Sequence, residues 1–111
     1  MEITYEDFRK VDIRVGTVLS VKNNEKARQP ALVLEVDFGN KIGIKTSSAK
    51  INHYYNPENL IGKQIIAVCN FPTKNIAGVK SEVLVLGAME KDGKVVLIHP
   101  SKIVANGLEI I

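Results

Sequence analysis

The stretch Asn70–Ala88, NFPTKNIAGVKSEVLVLGA, predicts the end of one strand, a basic loop and the start of another strand. The segments that flank this loop, residues 65–69 and 83–86, are continuous apolar runs of strand length. Such runs, bounded by turn residues, are typical of strands in a closed barrel or a sandwich core. Pro72 and Gly78 are turn formers and mark the loop between them. The stretch therefore predicts two core strands joined through a loop at one end of a β structure.

Polar and charged side chains are concentrated at this loop. It carries Lys74 and Lys80, and Ser81 and Glu82 stand at the very start of the following strand. Binding residues are disproportionately placed on loops that a rigid scaffold positions. We therefore expect a binding site at this end of the molecule.

Length and composition place the chain among single-domain globular proteins. It has 111 residues, 45% hydrophobic and 24% charged, which predicts one domain over residues 1–111 with one core. No apolar run approaches the roughly 20 residues that span a bilayer, and no signal peptide is evident at the N-terminus. We therefore expect no membrane insertion and a cytoplasmic protein. The net charge of +3 allows an anionic partner but does not demand one.

The first long strand is predicted over residues 11–21, where apolar and polar residues alternate. Gly16 in its middle suggests a bulge or a bend. Val18 is the exception to the alternation, because it falls on the polar face. The core face is predicted to carry Val11, Ile13, Val15, Thr17, Leu19 and Val21.

Two further strands are predicted over residues 31–38 and 41–47, joined by a tight turn at Gly39 and Asn40. Alternation places Leu32, Leu34, Val36 and Phe38 of the first strand on the core side. In the second, Ile42, Ile44 and Thr46 point one way, and Lys41, Lys45 and Ser47 point the other.

Helices are predicted to be short. Thr4, with Asp7 three residues later, forms a capping box for a helix that ends near Lys10. Asn56 as N-cap and Pro57 at the first helical position predict a second helix between the third and fourth strands. A hairpin turn at residues 90–93 and a short strand at residues 108–111 complete the chain. This order predicts an all-β fold, a five-stranded Greek-key barrel of the oligonucleotide/oligosaccharide-binding (OB) type, with a C-terminal strand extension.

Known catalytic and metal-binding patterns are absent from the sequence. His53 and His99 stand far apart without Cys or carboxylate at ligand spacing, so no metal and no cofactor are expected. Cys69 lies in an apolar strand and is interpreted as a small core hydrophobe. We therefore expect a binding module rather than an enzyme.

The candidate binding residues follow from the known binding surface of such barrels, the face of strands two and three and the flanking loops. The alternative for any of them is a solvated lysine face with Phe71 in the core. Aromatic residues are 5% of the chain and include no Trp, which disfavours base stacking and favours recognition of folded RNA by shape and phosphates. The candidates are Arg14, Lys26, Arg28, Lys45, Ser47, Asn70, Phe71, Lys74, Ser81 and Glu82.

Four segments carry a resemblance to a known family: FRKVDIRVG at residues 8–16, DFG with IGIK at residues 37–45, NFP at residues 70–72 and SEVLVLGA at residues 81–88. On these residues the chain resembles the stand-alone tRNA-binding-domain family over essentially its whole length. Within that family it is most similar to the CsaA-type secretion chaperones, on the stretch KTSSA at residues 45–49 and the compact length.

The resemblance implies a non-enzymatic homodimer on an OB-type barrel. In the chaperone branch the dimer holds unfolded preproteins or peptides for export; alternatively, as in the wider family, the same surface binds tRNA by its folded shape. A dimeric interaction module with neither ligand is the third alternative. The groove positions carried over are Arg14, Lys45, Asn70, Phe71, Ser81 and Glu82, to which charge alone adds Lys26, Arg28 and Lys74.

The resemblance also implies that the N-terminal helix and the C-terminal segment build the dimer interface. Tyr5 and Phe8 share a helix face that must be buried somewhere, on the same chain or on a second one. The dimerisation extensions are therefore predicted over residues 1–10 and 100–111, with Tyr5, Phe8, Leu108, Ile110 and Ile111 as the interface residues.

Overall fold

The computed structural model describes residues 1–111 and shows an all-β barrel of five antiparallel strands. Hydrogen-bonded neighbours follow the order β3-β2-β1-β4-β7, with two small two-stranded ribbons outside the main sheet. The predicted five-stranded Greek-key barrel is confirmed. The helices are α1 (Tyr5–Arg9), α2 (Gly39–Ile42) and α3 (Pro57–Leu60), and the strands are β1 (Ile13–Asn23), β2 (Leu32–Asp37), β3 (Ile44–Ala49), β4 (Gln64–Val68), β5 (Lys74–Ile76), β6 (Val79–Ser81), β7 (Leu84–Val85), β8 (Gly87–Met89) and β9 (Val95–Leu97).

β1 is long enough to pair with two neighbouring strands, one after the other along its length. Its residues 13–17 pair with β4, and its residues 17–23 pair with β2, both antiparallel. A strand that changes partner along its length must coil, and this curls the sheet toward closure. Gly16 lies in the part of β1 that pairs with β4, where a Cβ would stand 2.6 Å from Val36 Cγ1 and 2.8 Å from the Phe38 ring. Only glycine fits this close approach of the strand to the core.

The predicted core face of β1 is wrong before the bulge, where Gly16 and Val18 of the opposite face point into the core. The register shifts between Val18 and Ser20, so the β-bulge lies at Leu19 and not at Gly16. Val18 is fully buried in the core, whereas Leu19 is 44% exposed. The extra residue of a bulge reverses the alternation along the strand, and Val21 returns to the core beyond it.

The two predicted faces of β3 are present, and it is the polar one that points inward. Ser47 is only 1% exposed, whereas Ile44 on the opposite face is 57% exposed. The predicted tight turn before the strand is instead the helical turn α2, so β3 starts at Ile44. Because Lys45 and Ser47 pair with the core residues Val36 and Leu34, both side chains start out toward the barrel interior.

The helix caps and the core side of β2 agree with the sequence predictions. The predicted capping box of Thr4 with Asp7 is present, and the predicted N-cap Asn56 forms a capping box with Asn59. The region predicted as a basic loop is in fact an ordered hairpin, β5–β6. Its turn residues Ala77 and Gly78 both have positive φ, 49° and 83°, as a type I′ turn requires. The buried core side of β2 is Leu32, Leu34, Val36 and Phe38 beyond its end.

The C-terminal segment adds to the part of β1 that β2 leaves free. Val15 N donates to Leu108 O at 3.0 Å, Gly107 N to Val15 O at 2.7 Å and Ile110 N to Ile13 O at 2.8 Å. The predicted strand extension is therefore present as a short ladder. No helix in this structure has the length and apolar character needed to cross a membrane.

Candidate functional site

A groove opens where the chain leaves the main sheet to form the β5–β6 hairpin. The last β4–β7 pair joins Val68 to Leu84, and the first β5–β6 pair joins Lys74 to Ser81. Between these pairs one arm has the residues 69–73, whereas the other has only residues 82 and 83. The longer arm must arch outward, and the space beneath it is an open cavity of about 560 Å³. This hairpin groove is lined by Ser48, Phe71, Pro72, Thr73, Lys74, Ile76, Ser81, Glu82, Val83 and Leu84.

The walls of the hairpin groove are apolar and accessible. Phe71 is 55% exposed, so the alternative that places it in the core is wrong, and Leu84 on the opposite arm is half-exposed. Pro72 extends the wall on the side of Phe71, and buried Val83 lines the groove between the arms. An aromatic and a leucine side chain that face one groove from its two arms offer surface to an apolar group of a ligand.

Hydrogen bonds of Ser81 and Glu82 join β3 to the residues that precede β7; we call this junction the β3 seam. Glu82 N donates to Thr46 O at 2.8 Å, and Glu82 Oε1 accepts from Thr46 N at 3.1 Å. One step along, Ser81 Oγ accepts from Ser48 N at 3.1 Å. Lys45 Nζ lies 3.7 Å from Glu82 Oε2. The predicted residues Ser81 and Glu82 thus line the groove, and Lys45 lies beside Glu82 outside the lining; the polar atoms of all three are already engaged.

Arg14 and Asn70 lie outside the lining of the hairpin groove. Arg14 donates from Nε to Asp12 Oδ1 at 2.6 Å and from Nη1 to Gly107 O at 3.1 Å. The hydrogen bond to Asp12 raises the pKa of the Arg14 guanidinium. Asn70 uses both ends of its amide on the backbone of residues 10 and 12. Both side chains tie segments of this chain together.

The two loop cations, Lys26 and Arg28, lie on the other side of the β5–β6 hairpin. Arg28 lines a cleft together with Lys50, and Lys26 lines another with Lys22 beside the hairpin turn. Lys50, Lys22 and Lys80 were not among the predicted site residues. Lys80 lies in the predicted basic loop, and the signal for Lys22 and Lys50 was their position just after predicted strands.

Positive charge is concentrated on the surface around the β5–β6 hairpin, which we call the basic hairpin face. This face carries seven cations and two carboxylates, an excess of five positive charges, whereas the rest of the chain carries eight cations and ten carboxylates. Lys45 is the only one of these cations with a salt bridge. The face comprises Lys22, Lys26, Arg28, Lys45, Lys50, Lys74 and Lys80 with the carboxylates of Glu25 and Glu82.

Cys69 stands at the start of the arched arm and is partly buried against the core. Burial, assisted by the nearby Asp12 carboxylate, raises the pKa of its thiol to about 11. Because the thiolate is the nucleophile, such a thiol is inert at neutral pH. This agrees with the interpretation of Cys69 as a small hydrophobe.

The predicted interface residues form an uncovered apolar surface at the chain termini. Tyr5 and Ile111 are exposed, Leu108 is half-exposed, and Phe8 and Ile110 are partly buried. α1 contributes no buried residue to its own chain. The apolar face of α1 is therefore not covered within one chain, as is expected of a surface that packs on a second copy.

Comparisons with known proteins identify a family and relatives to which this chain is similar. The family described as "Putative tRNA binding domain" matches residues 13–109. A methionine–tRNA ligase from Porphyromonas gingivalis is 38% identical over 109 residues, which are 98% of this chain, and one from Pyrococcus horikoshii is 34% identical over 108 residues. The chain spans 16% and 14% of the length of these two curated relatives.

Solved structures match over the full chain. The chaperone CsaA from Bacillus anthracis has a TM-score of 0.94 and 50% identity, and covers 100% of both chains. The CsaA chaperone protein from Picrophilus torridus has a TM-score of 0.92 and 49% identity over 99% of this chain and 100% of its own. A MetRS-related protein from Pyrococcus horikoshii has a TM-score of 0.87 and 32% identity over 100% of both chains. With its fold, its groove and these matches, the chain belongs to the tRNA-binding-domain family, and within it resembles the CsaA chaperones.

Proposed function

We propose that this protein is a non-catalytic chaperone that holds unfolded polypeptides, with the hairpin groove as the site that takes their apolar side chains. The observation that carries the proposal is the arched arm, which presents Phe71 opposite Leu84 across an open groove. An extended chain passing through the groove would place alternate side chains against these two residues. Similarity to two CsaA chaperones over nearly the whole chain supports the assignment.

The character of the groove suits weak and unselective binding. Its polar lining atoms on Ser81 and Glu82 are already bonded to β3, so few groups are left to demand a particular ligand sequence. Affinity then comes from apolar contact with Phe71, Pro72 and Leu84. Lys74 at the rim suits acidic or polar flanks of a client.

A second ligand, tRNA, is favoured by a separate observation, the segregation of charge. The basic hairpin face offers Lys26, Arg28, Lys50, Lys74 and Lys80 without an internal carboxylate partner. Cations of this kind neutralise phosphates and release counterions. The family match and the methionine–tRNA ligase relatives support tRNA as the polyanion.

The test is a salt series with both ligands on the purified protein. Binding of a labelled unfolded peptide with alternating apolar residues is expected to change less than about twofold between low and high salt. Binding of tRNA is expected to fall steeply with salt, because the slope of log K against log salt scales with the phosphates neutralised. Peptide binding that salt abolishes would contradict an apolar groove. A flat salt dependence for tRNA would contradict the basic hairpin face as its site.

A matched pair of charge variants separates specific contacts from net charge. Lys50→Glu is expected to weaken tRNA binding and to lower the salt slope by about one. Lys63→Glu makes the same charge change before β4, at the end of that strand away from the hairpin, and is expected to weaken binding far less. Equal effects of the two variants would mean that tRNA binding depends on the overall charge of the protein and not on the position of Lys50.

We also propose that the protein works as a homodimer in the cytoplasm, through Tyr5, Phe8, Leu108, Ile110 and Ile111. The uncovered apolar surface at the two chain ends supports this proposal. Two grooves on one dimer would bind a long unfolded chain with avidity, which offsets weak single sites.

A further inference from the structure

We propose that Asn70 is a positioning residue, which fixes the point where the arched arm leaves the sheet and so aims Phe71 into the hairpin groove. This inference rests on the proposed peptide-binding function of that groove. It gives Asn70 a different role from the ligand contact that the sequence predicts, because the side chain has no free polar atom to offer. Both ends of its amide are bonded within the chain.

The clamp is built from three hydrogen bonds between residues 69–70 and the start of β1. Cys69 N donates to Asp12 O at 2.7 Å and continues the β1–β4 ladder by one step. Asn70 Oδ1 then accepts from Asp12 N at 2.9 Å, and Asn70 Nδ2 donates to Lys10 O at 2.7 Å. The amide side chain thus bonds the backbone on both sides of residue 11. Phe71 is the first residue of the arm that this clamp leaves free.

Asp12, the other half of the clamp, is itself held in place. Its carboxylate accepts from Arg14 Nε at 2.6 Å, and the same guanidinium donates to Gly107 O at 3.1 Å. Asp12 therefore joins the arched arm to the C-terminal turn. Since the charge of Arg14 is already matched by Asp12, the geometry assigns Arg14 to this anchoring role and not to a ligand phosphate.

A clamp of this kind matters because the arm is long. Residues 71–73 have no strand partner in the sheet, so their direction depends on where residues 69 and 70 are fastened. Loss of the amide would let Phe71 sample orientations away from Leu84. Binding would then carry the entropic penalty of ordering the arm.

The test is a double-mutant cycle on peptide affinity at high salt. Asn70→Ala is expected to weaken peptide binding about fivefold in the wild-type background and less than twofold in a Phe71→Ala background. Such non-additivity is expected when one residue acts through the other. Equal losses in both backgrounds would overturn the proposal, because Asn70 would then contact the peptide itself.

Asn59→Ala is the matched control, since the Asn59 amide also bonds the backbone at both ends. Its Oδ1 accepts from Asn56 N at 2.8 Å and its Nδ2 donates to Tyr54 O at 2.7 Å, beside α3. Loss of these bonds is expected to lower the urea midpoint much as Asn70→Ala does, with peptide affinity unchanged. A similar loss of peptide affinity in Asn59→Ala would reduce the effect to general destabilisation and overturn the proposal.

A second readout needs no ligand and separates failure of the clamp from failure of the proposed function. The chain has no tryptophan, so Phe71→Trp introduces a single tryptophan on the arm, which can be excited selectively over the three tyrosines. Adding Asn70→Ala is expected to increase the fast component of its anisotropy decay about twofold. An unchanged decay would overturn the positioning role even if peptide binds, and a changed decay would support it even if no peptide binds. Asn70→Asp keeps the acceptor for Asp12 N, so its anisotropy decay is expected to lie between those of the proteins with Asn70 and with Ala at this position.

Discussion

Replacement of Phe71 by alanine is the most direct test of the hairpin groove. The residue is 55% exposed, and a phenylalanine buries about 200 Å² when fully covered, so a ligand can cover about 110 Å² more. At about 25 cal/mol per Å² this surface contributes about 2.7 kcal/mol, and ordering of the ligand side chain offsets about 1 kcal/mol. The difference corresponds to a roughly twentyfold loss of peptide affinity in Phe71→Ala.

The assay is fluorescence anisotropy of a labelled extended peptide at high salt, where contributions from Lys74 and its neighbours are screened. Leu19→Ala is the control, because Leu19 is a similarly exposed apolar residue that lies on the β1 bulge and outside the groove lining. It is expected to change peptide affinity less than twofold. A Phe71→Ala protein that stays folded and binds within twofold of the wild type would refute the groove as the peptide site. So would an equal loss in Leu19→Ala.

Four further changes probe the charges, the termini and the core. Lys45→Glu is expected to weaken tRNA binding while the chain stays folded, and combining it with Glu82→Lys should restore the fold contact without restoring the affinity; unchanged affinity at low salt would remove Lys45 from the site. Removal of residues 108–111 is expected to yield monomer or insoluble protein in light scattering, and an intact dimer would contradict the interface. Gly16→Ala is expected to lower the free energy of unfolding by about 1–3 kcal/mol in urea titrations, since its methyl group would overlap two core side chains; a stability equal to wild type would refute the close approach. Cys69 is expected to react with iodoacetamide at pH 7 far more slowly than a free thiol, because a pKa of about 11 leaves it protonated there; rapid labelling of the native protein would contradict its burial.

The sequence predicts the barrel well because its strongest signals are local. The helix caps at Thr4 and Asn56 and the apolar runs at residues 65–69 and 83–86 depend on neighbours in the chain, and they appear in the structure at or near the predicted places. Cross-strand register is different, because it depends on residues far apart. The bulge at Leu19 follows from how β1 meets β2, and the break in alternation at Val18 does not by itself locate it.

The structure brings several of the predicted site residues together, but their individual contacts were not predictable from the sequence. Phe71, Lys74, Ser81 and Glu82 do come together at the groove, as the loop between two core strands suggested. The roles of individual residues could not be read in advance, since a polar side chain near a site can bind a ligand or bind its own chain. Asn70 illustrates this, because only the distances to residues 10 and 12 show where its amide is used. The missed cation Lys50 shows the same limit for charge, which is brought together by the fold and not by the sequence.

The side-chain bonds across the β3 seam have a consequence for how this protein avoids aggregation. Thr46 and Ser48 direct their backbone N–H groups away from β2, where a free sheet edge would recruit any extended strand nearby. Glu82 and Ser81 occupy those two donors. Under the proposed function the protein would meet many extended strands, and an unprotected edge would let them pair with it. The two side-chain bonds remove this site of strand pairing.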